Sequence, residues 1–419
     1  MARLIIQGQR SLRGTVQVSG AKNAALPMLA AALLTREETI LDNVPDIDDI
    51  RTLVELIGVI GAEVEYLPAE HRVRIRAAQL DNPVVPPALA AKARATFLVL
   101  GPLVGRLGRG LAPHPGGCAI GSRPVNVDIK GLATMGASVG IEGPYYSVRA
   151  AGRLRGARMY LDYPSHTGTE NLLMAACLAE GTTVIKHASA EPEVIALAEM
   201  LTAMGARIRG AGTSIIEVEG VDELHGVRYT VIPDRIEAGT FAIAAAMTGG
   251  DVGLRPVVVP HLDPVTHKLR EVGVEVLDDA EDYRVRGGGE LTGTELQTLP
   301  YPGFPTDLQA CFSTLLTQAK GTSIVHERVY DNRLQYVSEL AKMGAKVVAH
   351  GQTATIEGPS RLRGARVRAL DLRAGAALVL AAMAAEGETI IEDIHHLERG
   401  YEDIVGKLAS LGASIRREE

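Results

Sequence analysis

Six times along the 419-residue chain, apolar residues at helical spacing give way to a glycine and then to alternating apolar and polar positions. The transitions read IGAEVEY at Gly61, MGASVGIEG at Gly136, MGARIRG at Gly205, VGVEVLD at Gly273, MGAKVVAHG at Gly344 and LGASIRRE at Gly412. Their spacings are 75, 69, 68, 71 and 68 residues. A helix that closes on a left-handed residue selects glycine there, because a Cβ is strained in that conformation. Each transition predicts helix, turn and strand, and the period predicts a sixfold structural repeat.

A second pattern falls at matching points of the repeats: a polar stretch opening an alanine-rich run. The six are SGAKNAALPMLAAALL from Ser19, KARATFLVLGPL from Lys92, SHTGTENLLMAACLA from Ser165, DRIEAGTFAIAAAM from Asp234, FPTDLQACFSTLLTQA from Phe304 and DLRAGAALVLAAMAA from Asp371. Runs apolar on every side predict enclosed helices whose first turns alone reach solvent or a ligand. Those turns carry free N–H groups and the positive end of the helix dipole, so each suits an anion. Ser165, Asp234, Thr306 and Asp371 suit N-caps. Lys22, Arg94, Arg235 and Arg373 are not explained by capping, because a cation at a helix start opposes the dipole. An anionic partner is expected for each, and six starts, three per domain, are expected to face one cleft.

Length and a 46% hydrophobic content favour two domains with a cleft between them. A net charge of −7 and an aromatic content of 4% argue against a nucleic-acid partner. The opening MARLIIQGQRSLRG reads as a strand and charged turn with no signal-peptide core, and charges or glycines break the alanine-rich runs well short of a membrane span. The cysteines, at 118, 177 and 311, have neither disulfide nor metal-ligand spacing, which points to a reducing cytoplasmic compartment. His395 and His396, read as neighbours on a strand, point to opposite faces and hold no common metal. RGGGELTG at 286–293 lacks the context of a dinucleotide fingerprint and reads as a strand connection.

Cys118 stands apart from the other two thiols. It lies in HPGGCAIGSRPVN, with Gly116, Gly117 and Gly121 around it and Arg123 and Pro124 beyond, a loop that can neither pack nor pair it.

Seven segments together resemble the enolpyruvyl transferase family over the whole chain: SGAKNAALP, GGCAIGSRPV, PDRIEAGTF, FPTDLQA, DNRL, DLRAGAALVLA and ERGYEDI. The resemblance implies an α/β fold, a two-domain inside-out α/β barrel of six βαβαββ repeats, three per domain, around buried parallel helices. Residues 21–231, with the cysteine loop 113–124, would form one domain. Residues 1–20 with 232–419 would form the other, and the active site would lie in the interdomain cleft. The implied reaction moves the enolpyruvyl group of phosphoenolpyruvate to the 3-hydroxyl of UDP-N-acetylglucosamine and releases phosphate. This is the first committed step of peptidoglycan synthesis. No cofactor, metal, nucleic acid or membrane is implied.

Addition followed by elimination through a tetrahedral ketal needs one acid and one base. Cys118 is the implied acid: a free thiol titrates near ~8.5, and a cation such as Arg123 lowers that. The family's cysteine also adds to phosphoenolpyruvate and is alkylated by fosfomycin, and its glycine-rich loop would close over substrate. Asp307 is the implied base. Lys22, Arg123 and Arg399 would hold the phosphate and carboxylate of phosphoenolpyruvate, with Arg373 assisting, since arginine engages an oxyanion at two points. Asn23 would donate to the reacting carboxylate or the ketal, and Arg333 and Asp371 would orient or balance charge. Contacts to the UDP-sugar would come from Arg94, from Arg123, Pro124, Val125, Asn126 and Val127, from the loop through Ser165 and His166, and from Asp307 and Val329. The segment 165–171 also discriminates a relative using another UDP-sugar or a nucleoside acceptor. A catalytically silent UDP-sugar sensor would have lost Cys118, Asp307 or Lys22, and all three are present.

Overall fold

The computed structural model describes residues 2–115, 125–279 and 282–419. Contacts divide these into two compact units: unit one holds residues 2–19 and 233–419, and unit two holds residues 20–115 and 125–232.

Glycines 61, 136, 205, 273, 344 and 412 all take left-handed backbone angles, with φ between +92° and +115°. Each ends a helix and leads into a strand, as the alternation in the sequence requires. Among the described residues the strands form six separate sheets, three per unit, each open and ending on edge strands. In five of them a parallel pair continues into antiparallel pairs, for example Glu295–Gln297 with Gly321–His326 and then Thr353–Gly358. The sixth has three strands, and the parallel bridge between Val84 and Leu111 stands where a fourth would be.

In unit one the amino-terminal residues complete two sheets. Arg3–Gln7 lies between Glu388–Glu392 and Ser414–Glu418, and Arg13–Gln17 pairs with Asp251–Arg255. Ser19 ends this segment under tight restraint. Its N–H donates to Glu237 Oε2 at 2.7 Å, and its hydroxyl donates to Glu402 Oε2 at 2.5 Å. Lys407 Nζ donates to both Ser19 Oγ and Glu237 Oε1 at 2.6 Å.

The alanine-rich runs form the helical cores. In unit one Arg235–Met247, Thr306–Leu316 and Leu372–Ala384 pack on one another inside the sheets. In unit two the counterparts are Lys22–Ala31, Leu100–Leu107 and His166–Cys177. The second of these departs from the single helix anticipated from Lys92. Pro87–Lys92 is one helix, Ala93 is extended, Arg94–Val99 is a 3₁₀ turn, and the α-helix begins only at Leu100. The Asn171 side chain holds that break: its amide donates to Phe97 O at 3.3 Å and its Oδ1 accepts the Gly101 N–H at 2.6 Å. Gly101 permits the approach, since a Cβ there would lie 2.2 Å from the Asn171 carbonyl oxygen. Beyond the Lys22 helix, Arg106 donates to the carbonyls of Leu33 and Thr35 at 2.7 and 2.8 Å, satisfying acceptors that a helix end leaves bare, and to Ala77 O after the strand Arg72–Arg76 at 2.6 Å. Cys177 and Cys311 lie in the helical cores, where burial pushes each thiol up to about 12.

Candidate active site

Three of the proposed caps are built as anticipated. Ser165 Oγ accepts the Gly168 N–H at 3.1 Å, Asp234 accepts from Ile236 and Glu237, and Asp371 accepts from Arg373 and Ala374 at 2.8 and 3.0 Å. Thr306 is not a cap. Pro305 occupies that position, and the Thr306 hydroxyl donates to the fully buried Glu327 carboxylate, at 3.0 Å to Oε1 and 2.9 Å to Oε2. Glu327 Oε1 also accepts the N–H of Val329 and Tyr330 at 2.9 and 3.1 Å. One buried carboxylate thus ties the Val329 loop to the start of the Asp307 helix. Nothing in the sequence marks Glu327 for this, because its partners lie on two separate segments.

In unit one, Asp307, Arg333 and Arg373 meet. Arg333 Nη2 donates to Asp307 Oδ1 and Arg373 Nη2 to Asp307 Oδ2, each at 2.8 Å. The arginine side chains are 4% and 5% exposed, and the carboxylate is 26% exposed. Burial disfavours both guanidinium ions, but the Asp307 charge outweighs it and holds both firmly protonated. The charges of Asp371 and Glu327 also act on Arg333, and that of Asp234 on Arg373. Arg333 Nε and Nη1 are buried without a hydrogen-bond partner, so this cation keeps donors in reserve. Arg333 stacks over Tyr330 and Arg373 over Tyr401, at 5.3 and 5.4 Å from the ring centres. The Tyr401 hydroxyl is hydrogen-bonded to Thr240 at 2.8 Å. Asp371 caps the same helix, two residues before Arg373.

Arg399 follows the short helix His395–Glu398. His395 and His396 are therefore helical neighbours and not strand neighbours: their rings stack at 4.1 Å between centres instead of pointing to opposite faces. Burial, then the charges of His395 and Arg399, hold the His396 ring below the usual imidazole range.

Unit two holds Lys22, Asn23, Arg94, Val125, Asn126, Val127, Ser165 and His166. Lys22 opens its helix after Ala21, which provides no side-chain cap, and its Nζ lies 2.8 Å from Asp49 Oδ2. The anionic partner anticipated for this cation is thus supplied by the protein, as Asp307 supplies one for Arg373. Asn23 follows on the same turn. Arg94 begins the 3₁₀ turn, and its charge bears on Asp128. Asp128 is buried, which raises its carboxyl above the ordinary range, while the Asn171 amide at 2.8 Å and the charge of Arg94 pull it back. Val125 and Val127 are buried beside Asn126, which opens the helix Asn126–Thr134 and whose Oδ1 is enclosed without a partner. That helix start abuts the His166 helix: a Cβ on Gly168 would lie 2.6 Å from Val127 Cγ1. His166 Nε2 lies 3.0 Å from Glu170 Oε1. An i,i+4 His–Glu spacing was the available sequence signal for this pair. Cys118, Arg123 and Pro124 lie outside the described residues.

A family described as EPSP synthase (3-phosphoshikimate 1-carboxyvinyltransferase) matches residues 6–408. UDP-N-acetylglucosamine 1-carboxyvinyltransferase of Finegoldia magna is 48% identical over 419 residues, with 99% of both chains covered. The enzyme of the same name from Magnetococcus marinus is 48% identical, covering 100% of this chain and 99% of its own. Among solved structures, the enolpyruvyl transferase NikO from Streptomyces tendae superposes with a TM-score of 0.90 at 26% identity, covering 99% of this chain and 98% of its own. An EPSP synthase from Acinetobacter baumannii, 20% identical with both chains covered in full, reaches 0.79 and shares the fold. With its repeats, its helix-start charges and full-length relatives at 48% identity, the chain belongs to the enolpyruvyl (1-carboxyvinyl) transferase family.

Proposed function

We propose that the protein transfers the enolpyruvyl group of phosphoenolpyruvate to the 3-hydroxyl of UDP-N-acetylglucosamine and releases phosphate, the first committed step of peptidoglycan synthesis. The observation that carries this reading is Asp307 held through both oxygens by Arg333 and Arg373 at the start of a buried helix. An ionised carboxylate is an acceptor through both oxygens, so Asp307 suits taking a proton from a hydroxyl. The sugar oxygen then bonds to C2 of phosphoenolpyruvate, while Cys118 delivers a proton to C3. In the second step C3 loses a proton and the C2–O bond to phosphate breaks, restoring the double bond. Arg333, with two enclosed and unpartnered donors, suits an oxyanion of the substrate. Lys22, Arg123, Arg399 and Arg373 are assigned to the anionic groups of phosphoenolpyruvate, with Asn23 on the reacting centre. Arg94, Pro124, Val125, Asn126, Val127, Ser165, His166 and Val329 are assigned to the UDP-sugar, and Asp371 to orientation.

The test is phosphate release from phosphoenolpyruvate with UDP-N-acetylglucosamine, run beside UDP-N-acetylgalactosamine, UDP-glucose and shikimate 3-phosphate. Release with UDP-N-acetylglucosamine alone is the expected result. Release only with another acceptor, or with none, overturns the assignment.

A further inference from the structure

Asp307 holds Arg373 by one corner. A guanidinium is a flat group with five N–H donors, and one bond from Nη2 to Asp307 Oδ2 at 2.8 Å does not fix its plane. Its next neighbour is the buried Tyr401, whose ring centre lies 5.4 Å from Arg373 Cζ. The Tyr401 hydroxyl lies 2.8 Å from Thr240 Oγ1 in the helix Arg235–Met247. The direction of that bond follows from the single proton on Thr240, which is donated to Ile236 O at 2.8 Å. Cys311 also pairs with the Thr240 hydroxyl, but sulfur is the weaker acceptor. Tyr401 is therefore the donor to Thr240. The lone pairs of its oxygen face Arg373, which acts on it through its charge and a side-chain hydrogen bond.

These contacts form a chain with one direction: Arg373 N–H to the Tyr401 oxygen, Tyr401 O–H to Thr240, and Thr240 O–H to the Ile236 carbonyl. Burial holds the Tyr401 hydroxyl well above the usual phenol range, so it stays a donor. The main chain of Arg373 is fixed separately, because its N–H donates to Asp371 Oδ1 at 2.8 Å. The same tyrosine follows Arg399 by two residues. Its N–H donates to Leu397 O at 3.1 Å, closing the turn that carries Arg399. That turn packs on the start of the Arg373 helix, where a Cβ on Gly400 would lie 2.5 Å from Leu372 Cδ2.

We propose that Tyr401 is a positioning residue: its hydroxyl, braced by Thr240, sets the plane of the Arg373 guanidinium, and its turn seats Arg399 beside the same helix start. A donor whose plane is set before the ligand arrives loses less freedom on binding, so the brace acts on affinity for the anion more than on the chemical step. The inference rests on the transferase reading for the identity of that anion, phosphoenolpyruvate, to which Arg373 and Arg399 are assigned.

The experiment compares the full chain with Tyr401→Phe, Thr240→Val, Thr240→Ser and the double variant Tyr401→Phe/Thr240→Val, measuring kcat, the KM of each substrate and calorimetric binding of inorganic phosphate. Tyr401→Phe keeps the ring and leaves Thr240 bonded to Ile236 O, so it strands no donor and folds. It raises the KM for phosphoenolpyruvate about fivefold, the scale of one hydrogen bond, with less change in kcat and none in the KM for the UDP-sugar. Thr240→Val gives the same rise and Thr240→Ser, which keeps the hydroxyl, restores the wild-type value. The double variant is no worse than either single one, because breaking one link already releases the chain. An unchanged phosphoenolpyruvate KM in Tyr401→Phe, an equal rise in both KM values, a Thr240→Ser that behaves as Thr240→Val, or effects that multiply in the double variant overturns the inference. Should Thr240→Val not fold, Tyr401→Phe and Thr240→Ser decide. Where the wild-type protein shows no turnover with any acceptor, the transferase reading falls and phosphate binding decides: about fivefold weaker in Tyr401→Phe keeps the brace, and equal or undetectable binding removes it.

Discussion

Both units place a cation at the start of a buried helix, but they neutralise it differently. In unit one, Arg333 and Arg373 share the carboxylate of Asp307, and Arg333 keeps two N–H donors without a hydrogen-bond partner. In unit two, Lys22 lies 2.8 Å from Asp49 and His166 lies 3.0 Å from Glu170. Enclosed ion pairs gain little net stability, because desolvation cancels most of the Coulomb attraction. Their value lies elsewhere. On the proposed function, the Asp307 cluster would be organised in advance for an anion, whereas Lys22 beside Asp49 would hold a charge in readiness and yield part of it to a ligand.

Removing the shared carboxylate gives the largest expected effect. Asp307→Ala lowers kcat by about 10³-fold, the scale of a lost general base, and leaves two enclosed arginines without the carboxylate that both engage directly. Chemical denaturation shows unit one weakened by about 3 kcal/mol. Asp307→Asn recovers much of that stability but not the turnover. Turnover near wild type in either variant would break the comparison at its centre.

Next is the one-to-one pair. Lys22→Gln strands the 7%-exposed Asp49 carboxylate and raises the KM for phosphoenolpyruvate by about tenfold or more. Adding Asp49→Asn restores thermal stability without restoring that KM. A double variant with normal KM would show that Lys22 serves only the fold.

The smallest effect is the pH dependence of the anchor at Ser19. Burial, opposed by Lys407, raises Glu237 to about 7. The folded protein therefore holds a proton that the unfolded chain releases above about 4.3. Stability falls as pH rises from about 4.3 to 7, and the loss is complete above that. Glu237→Gln flattens that slope in thermal melts between pH 5 and 7.5. An unchanged slope would place the titration elsewhere.

Much of the repeat was legible before any coordinates. The six glycines announce themselves because a left-handed helix end excludes most side chains, a constraint that acts within a few residues. Ser165, Asp234 and Asp371 were legible as caps for the same reason: each bonds an N–H two or three residues on. Thr306 looked identical, and the difference came from Glu327, 21 residues away. The histidines at 395 and 396 were misplaced because a four-residue helix leaves too short a pattern to separate it from a strand. The break before Leu100 depends on Asn171, 70 residues on from Gly101, and no local signal records it.

What the sequence by itself determined is therefore the set of locally encoded features: the period, the left-handed turns, the enclosed alanine-rich helices and the residue types at their starts. Only the tertiary structure decided which charges meet. Asp307 finds Arg333 26 residues away and Arg373 66 residues away, and Lys22 finds Asp49 on a neighbouring helix. Backbone preferences extend over one or two turns, whereas the energy of a buried charge depends on whatever the packing brings within a few ångströms, wherever it lies in the chain.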